Sequence, residues 1–241
     1  MLRKLETGGP IDILGTLFAE ERAWPDRPWV MLNMVTSVDG ATALGGGASA
    51  LNDSDDRALF LALRAVSDVV MMGAQTVRSE KLGPIRMDDE MTRHRLRAGF
   101  TEDPLMVILT RSLDLDPGGR IFADPKRQPL VLTGVDVDQA KLRSIREVAE
   151  VRQIENLDGG AIVNSLGEFG VILCEGGPTV NSQLFEADVV DEINLTVSPM
   201  VAMGESKRLA SGVSLDPPLD MMLDRTLKGD RSLFLRYVRA D

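Results

Sequence analysis

The chain has 241 residues, 44% of them hydrophobic, and a net charge of −10. That length suits one α/β domain with a sizeable core, and that charge excludes bulk attraction to nucleic acid, which needs a basic face. One cysteine, Cys174, and one histidine, His94, exclude an intramolecular disulfide and a Cys/His zinc site, and suit a reducing cytoplasm.

Residues 1–28 read as an N-terminal lead-in, broken by Pro10, Pro25 and Pro28, ahead of a single domain over 29–241. No apolar h-region follows Met1, so no signal peptide is expected. No apolar run is long enough to span a membrane. Trp29–Ser37 is a mostly apolar run, as in a strand buried on both faces. Asp39-Gly40 makes a turn, and Gly45-Gly46-Gly47 a loop. Asn52 to Asp56 offers N-caps and first-turn acids, and Leu59, Phe60, Leu63 and Val66 continue at helical spacing. Asp68–Gly73 is a second strand, followed by a turn or helix from Ala74. Residues 80–104 read as a long irregular segment, with Arg93, His94, Arg95 and Arg97 as a solvated basic cluster.

Leu105–Thr110 and Leu130–Thr133 read as further strands. Asp138–Val148 and Gly160–Leu166 read as helices. Val171–Cys174 is a fifth strand, Thr179–Ala187 a helix, and Glu192–Val197 a sixth strand. Met221–Leu227 and Ser232–Val238 form a closing hairpin. Strands alternating with helices predict an α/β fold, with a mostly parallel central sheet flanked by helices and a C-terminal antiparallel hairpin.

In such sheets, ligands bind beyond the carboxyl ends of the strands. Glu175-Gly176-Gly177-Pro178-Thr179 occupies one such end. Two glycines admit a close diphosphate, Pro178 suits the first helical turn, and Thr179 offers a hydroxyl. Gly73 with Thr76 ends a second strand in the same way. Thr110-Arg111-Ser112 ends a third with an arginine between two hydroxyls, which suits a 2′-phosphate. An ordinary strand-to-helix turn explains each stretch alone; together they point to a dinucleotide site. Asn33, Thr36, Ser37 and Asp39 are polar groups near the end of the first strand and need partners or a ligand.

Taken in order, "MLNMVTSVDGATALGG", "LALRAVSDVVMMGAQTVRSE" and "ILCEGGPTVNSQLFEADVVDEINLTVSPMVAMG" resemble the reductase domain of riboflavin biosynthesis, the C-terminal half of the bifunctional deaminase/reductase RibD, in a stand-alone form. The resemblance runs from about Trp29 to Tyr237. It implies a dihydrofolate-reductase-like fold, NADPH as cofactor, and a homodimer. It also implies a phosphorylated pyrimidine substrate, a 5-amino-6-(5-phosphoribosylamino)uracil or its diaminopyrimidinone relative, whose ribosyl group is reduced to ribityl.

Carried over by position, Gly176, Gly177, Pro178, Thr179, Val180 and Asn181 would hold the diphosphate, and Gly73 and Thr76 would line the cofactor site. Arg111, with Thr110 or Ser112, would meet the 2′-phosphate. Thr36 and Asp39 would lie near the nicotinamide, with Asp39 and Glu175 as the catalytic carboxyls. Asn33, Ser37, Ser49, Arg64, Glu175, Glu80 and Arg86 would face the substrate, Ser49 and Arg64 at its sugar phosphate. The segment Arg78–Arg86 departs from the family's usual acidic run, and Asn33 stands where a lysine is common. No metal is implied, and the zinc ligands of the deaminase half are missing. Two other readings stay open: another pterin- or dihydrofolate-type reductase that uses NADPH, and a nucleotide-binding homologue without catalysis.

Overall fold

The computed structural model describes residues 9–24, 26–45 and 47–240. The first eight residues, Pro25, Gly46 and Asp241 lie outside the described residues, including the breaker and one loop glycine named above. The elements in chain order are α1 (Ile13–Ala19), β1 (Trp29–Ser37), α2 (Ser54–Ala65), β2 (Val69–Gly73), α3 (Ala74–Ser79), α4 (Asp89–Arg97), β3 (Leu105–Leu109), β4 (Leu130–Gly134) and α5 (Gln139–Arg146). They continue with β5 (Glu150–Ile154), α6 (Gly159–Asn164), β6 (Val171–Cys174), α7 (Pro178–Glu186), β7 (Glu192–Ser198), β8 (Met221–Lys228) and β9 (Leu233–Arg239).

The strands form one nine-stranded sheet in the order β5-β4-β3-β2-β6-β1-β7-β9-β8. β5 to β7 in that order run parallel, and β9 and β8 add the antiparallel hairpin at one edge. Side chains alternate between two apolar layers. Met31, Val70, Met72, Ile108 and Leu173 pack with α1, α2, α3, α4 and α5. Val30, Leu32, Met71, Val107, Ile172 and Cys174 pack with α6 and α7. No helix among the described residues is long and apolar enough to cross a membrane.

Three elements differ from the sequence reading. The lead-in carries α1, whose Leu14 and Leu17 enter the core. The segment 80–104 is not irregular throughout: it contains α4, capped by the Asp88 side chain on Met91 N. Its basic cluster is not wholly solvated either. Arg95 is fully buried and donates to the carbonyls of Arg64, Ala65 and Ser67, which end α2 and begin the turn to β2. β5 also went unread; it is a sheet edge with polar alternation, Glu-Val-Arg-Gln-Ile, and so lacks the apolar run of a buried strand.

Candidate active site

β2 and β6 lie side by side, but their exits diverge. β2 leads through α3 toward β3, whereas β6 leads through α7 to β7 on the far side of β1. Such a switch point opens a crevice at the carboxyl ends of the strands. Glu175 N donates to Met71 O at 2.9 Å and Gly73 N to Gly176 O at 3.0 Å, so the two strand ends are stitched together at its floor.

Two helices start at this crevice, and both lack a side-chain cap. α1, α2, α4, α5 and α6 are capped by Asp12, Asp53, Asp88, Asp138 and Asp158. α3 and α7 start instead on Gly73 and Gly177, with no side-chain hydrogen bond. Their first-turn N–H groups therefore stay available to an anion, at the positive ends of the helix dipoles. The backbones also approach closely. A Cβ on Gly73 would come within 3.3 Å of Val180 Cγ2, and one on Gly177 within 3.4 Å of Thr76 Oγ1. Gly176 has φ +89°, which disfavours any side chain there. The cradle fits a diphosphate held by backbone, with Thr76 and the exposed Thr179 at its rim.

The remaining residues expected on the cofactor side divide. Arg111 and Ser112 are exposed at the end of β3. Arg111 has no ion pair or hydrogen bond among the described residues, so its guanidinium is available to a phosphate. Thr110 is buried. Asn181 turns away from the crevice: it is fully buried and its amide donates to Leu209 O at 2.8 Å and contacts Met34 sulfur at 3.3 Å. Its place is in anchoring the chain around Leu209 to α7, because its donors are already taken. Pro178 and Val180 form the first turn of α7, with Val180 against Gly73.

On the α2 side of the sheet, Arg64 grips Glu175 with both arms of its fork. Nε to Oε1 is 2.6 Å and Nη2 to Oε2 is 2.7 Å, with both side chains largely buried. The Arg64 guanidinium also lies 4.1 Å from the centre of the Phe60 ring. Asn33 is one residue beyond the Leu32–Cys174 pair, beside Glu175 and on the same face. The fork leaves Arg64 Nη1 for another acceptor.

Asp39 is engaged differently. It accepts from Ser37 Oγ at 2.5 Å, Ala202 N at 3.0 Å and Met203 N at 2.7 Å. The Ser37 hydroxyl, then the two backbone amides, hold its carboxyl down at about 2. It thus locks the end of β1 to the segment 200–203 and is a poor proton donor at neutral pH. Ser37 is buried in that turn and receives Ala41 N, while Thr36 donates to the Ser37 carbonyl. Glu80 lies against the turn at Gly47. Ser49 is exposed in a short turn before α2. Arg86 is not drawn toward Glu175; its guanidinium is bound to Asp124, and both side chains are half or more exposed. Cys174 is fully buried, and burial pushes its thiol up to about 12, so it is inert.

Sequence reasoning missed the pairing of Arg64 with Glu175, which lie 111 residues apart. It read Asp56 as a first-turn acid and Phe60 as part of a helical face, not as neighbours of Arg64. These two share one stripe of α2 with Arg64 at intervals of four residues, and that spacing was the available signal.

A parallel sheet with a terminal hairpin, an uncapped two-helix crevice and a clamped carboxylate beside it define a reductase-type α/β fold. The likeness to Enterococcus faecalis dihydrofolate reductase agrees, with a TM-score of 0.51 at 13% identity over 88% of this chain and 97% of that one. The chain belongs to the RibD C-terminal domain family, which it matches over residues 28–233. It is 26% identical over 220 residues to the 2,5-diamino-6-ribosylamino-4(3H)-pyrimidinone 5′-phosphate reductase of Methanothermobacter thermautotrophicus, covering 88% of this chain and 98% of that protein. A pyrimidine reductase-like protein from Corynebacterium diphtheriae superposes with a TM-score of 0.81 at 24% identity, over 90% of this chain and 93% of that one.

Proposed function

We propose that the protein is an NADPH-dependent reductase of riboflavin biosynthesis. It reduces the ribosyl group of a phosphoribosylamino-pyrimidine, either the diaminopyrimidinone or its uracil counterpart, to a ribityl chain. The observation that carries this reading is the crevice between β2 and β6, with two uncapped helix starts on one side and the Arg64–Glu175 clamp on the other. Family membership and the activity named for the Methanothermobacter relative support the substrate class.

The first turns of α3 and α7 hold the diphosphate through backbone N–H groups, and Thr76 and Thr179 add hydroxyls. Arg111 and Ser112 meet the 2′-phosphate that distinguishes NADPH from NADH. When bound, the cofactor supplies the hydride. Glu175 takes N–H donors of the pyrimidine while Arg64 orients it, and Arg64 Nη1 is free to meet a further acceptor on the substrate. Asn33 reads the pyrimidine edge beside Glu175. Loss of reduced-nicotinamide absorbance on adding the phosphoribosylamino-pyrimidine, with NADH and dihydrofolate as controls, tests the assignment. Turnover of dihydrofolate alone would overturn it in favour of a pterin reductase; tight NADPH binding without turnover would favour a non-catalytic homologue.

The same proposal includes a cytoplasmic homodimer. Met222 and Leu223 are exposed on the outer edge strand β8, and Leu233 on β9. A second copy pairing with this apolar edge covers it, as an isologous interface would. Sedimentation at micromolar concentration checks the dimer.

A further inference from the structure

We propose that Asp56 is the proton donor of this site, giving its proton to the ring oxygen of the sugar as the ribose ring opens. The proposal rests on the reductase reading above and names the acid that the reaction needs.

Asp56, Phe60 and Arg64 form one stripe along α2, and the far end of that stripe is fixed over the crevice by the Arg64–Glu175 clamp. α2 starts at the carboxyl end of the sheet, so Asp56 stands nearer the strand ends than Arg64 does. It faces Thr196 of β7, which pairs with Val35 of β1. Asn33, beside Glu175, lies two residues earlier on β1 and on the same face, about 7 Å along the strand. A ligand whose base meets Asn33 and Glu175 therefore brings its sugar to Asp56.

Glu175, Asp39 and Glu192 are committed as acceptors. Both oxygens of Glu175 accept from Arg64, Asp39 accepts three donors, and Glu192 is held by Arg22, Trp29, Asn194 and Arg236. Asp56 is different. It is only 7% exposed, and its carboxyl accepts no full hydrogen bond among the described residues. Its approach to Thr196 falls short of one, and Thr196 Oγ1, fully buried, has no other partner among those residues. Thr196 Oγ1, a buried hydroxyl without a full bond, faces the Asp56 carboxyl where the sugar would lie. The groups around the carboxyl are Asp53 from its own helix, Thr196 from β7, and Val35 and Ser37 on that face of β1; Arg231 of the hairpin turn acts on Asp53. Burial raises the carboxyl above its ordinary range, the Thr196 hydroxyl opposes this, and the charge of Asp53 adds to it.

The step balances. The C1′–O4′ bond breaks, O4′ takes the Asp56 proton, and the nitrogen lone pair forms an iminium bond to C1′. Hydride at C1′, which the bound cofactor would supply, then gives a secondary amine and would leave the cofactor oxidised. Solvent returns a proton to the Asp56 carboxylate, and the carboxylate stabilises the iminium meanwhile.

The test compares the unaltered protein with Asp56→Asn and Asp56→Glu, using NADPH and both phosphoribosylamino-pyrimidines. The readouts are kcat and KM across pH, NADPH affinity, and thermal unfolding. Asp56→Asn should lose about 100- to 10,000-fold in kcat, with NADPH affinity and unfolding temperature retained, and should lose the alkaline fall in kcat expected of the unaltered protein. Asp56→Glu should restore part of the rate and the alkaline fall. An Asp56→Asn protein that keeps full kcat, or keeps the same alkaline fall, overturns the assignment. Loss of NADPH affinity together with kcat also overturns it, because the residue would then be structural. If the unaltered protein turns over neither pyrimidine, the reductase reading itself fails and the proton-donor role falls with it.

Discussion

Arg64 and Glu175 meet through two charged hydrogen bonds of 2.6 and 2.7 Å, joining the end of α2 to the end of β6. The pair is largely buried, so removing one partner leaves a charge without compensation. Arg64→Met should destabilise the fold by about 3 kcal/mol, toward the low end for a broken buried pair. Glu175→Gln should cost less, because an amide still accepts one bond. The double variant should recover part of the loss, giving a coupling energy of about 1–3 kcal/mol. Urea unfolding of the four proteins measures it; additivity would mean that the clamp contributes nothing as a pair. In turnover assays, Glu175→Gln should also raise KM for the pyrimidine more than Kd for NADPH.

At Gly177 the proposed cofactor binding and folding should separate. Its φ of −73° is open to any residue, and a Cβ would stand 3.4 Å from Thr76 Oγ1, an ordinary contact. Gly177→Ala should therefore change stability by less than about 1 kcal/mol. The added methyl group occupies space at the start of α7 that the proposed diphosphate would need, so Kd for NADPH should rise about tenfold or more, a change of about 1.4 kcal/mol. Gly176→Ala should lose both, because its φ of +89° strains any side chain. Calorimetric titration with NADPH distinguishes the two variants.

In the proposed function, Arg111 carries the choice between the nicotinamide cofactors. It stands exposed at the end of β3 with no partner among the described residues, so a substitution there disturbs no internal contact. Arg111→Ala should weaken NADPH by about ten- to a hundredfold, the equivalent of one charged hydrogen bond or two. NADH affinity should stay within about twofold. Equal weakening of both cofactors would remove the 2′-phosphate from its reach.

The strands at the centre of the sheet were legible because parallel strands buried on both faces are continuous apolar runs. The glycines at Gly73, Gly176 and Gly177 were legible because a close backbone approach leaves a mark in residue type. α4 was not legible: its buried position is Arg95, which a pattern of apolar spacing cannot find. β5 was hidden by its place at the edge, where polar residues are tolerated. Within the site, residue types predicted which side chains were polar but not which partners they would choose. Arg64 and Asn181 were read as ligand contacts; the fold commits most of the Arg64 fork to Glu175, and the Asn181 amide donates to Met34 and Leu209 and accepts from Cys174. Such choices depend on contacts between distant elements, and a single sequence does not list them.

Glu192 makes the fold sensitive to acid. It is fully buried on β7 and accepts from Arg22 Nε and Arg236 Nη2 at 2.9 Å each, from Trp29 Nε1 at 3.1 Å and from Asn194 at 2.7 Å. Glu20 extends the network to Arg22 and Arg225. Burial pushes the Glu192 carboxyl up, but the charges and hydrogen bonds of Arg22 and Arg236 outweigh it and hold the group at about 2. A folded value below the unfolded value of 4.5 means the stabilisation is present above that pH and is lost as pH falls toward 2. The loss should amount to about 3 kcal/mol over that window. Glu192→Gln should abolish this part of the acid dependence and destabilise the protein at neutral pH by about 3 kcal/mol, because the buried Arg22 and Arg236 each lose one carboxylate and keep only Glu20 and Asp224. Chemical denaturation at a series of pH values from neutral down to 3 measures both effects. A Glu192→Gln protein with the same slope below pH 4.5 would assign the acid sensitivity to other carboxylates.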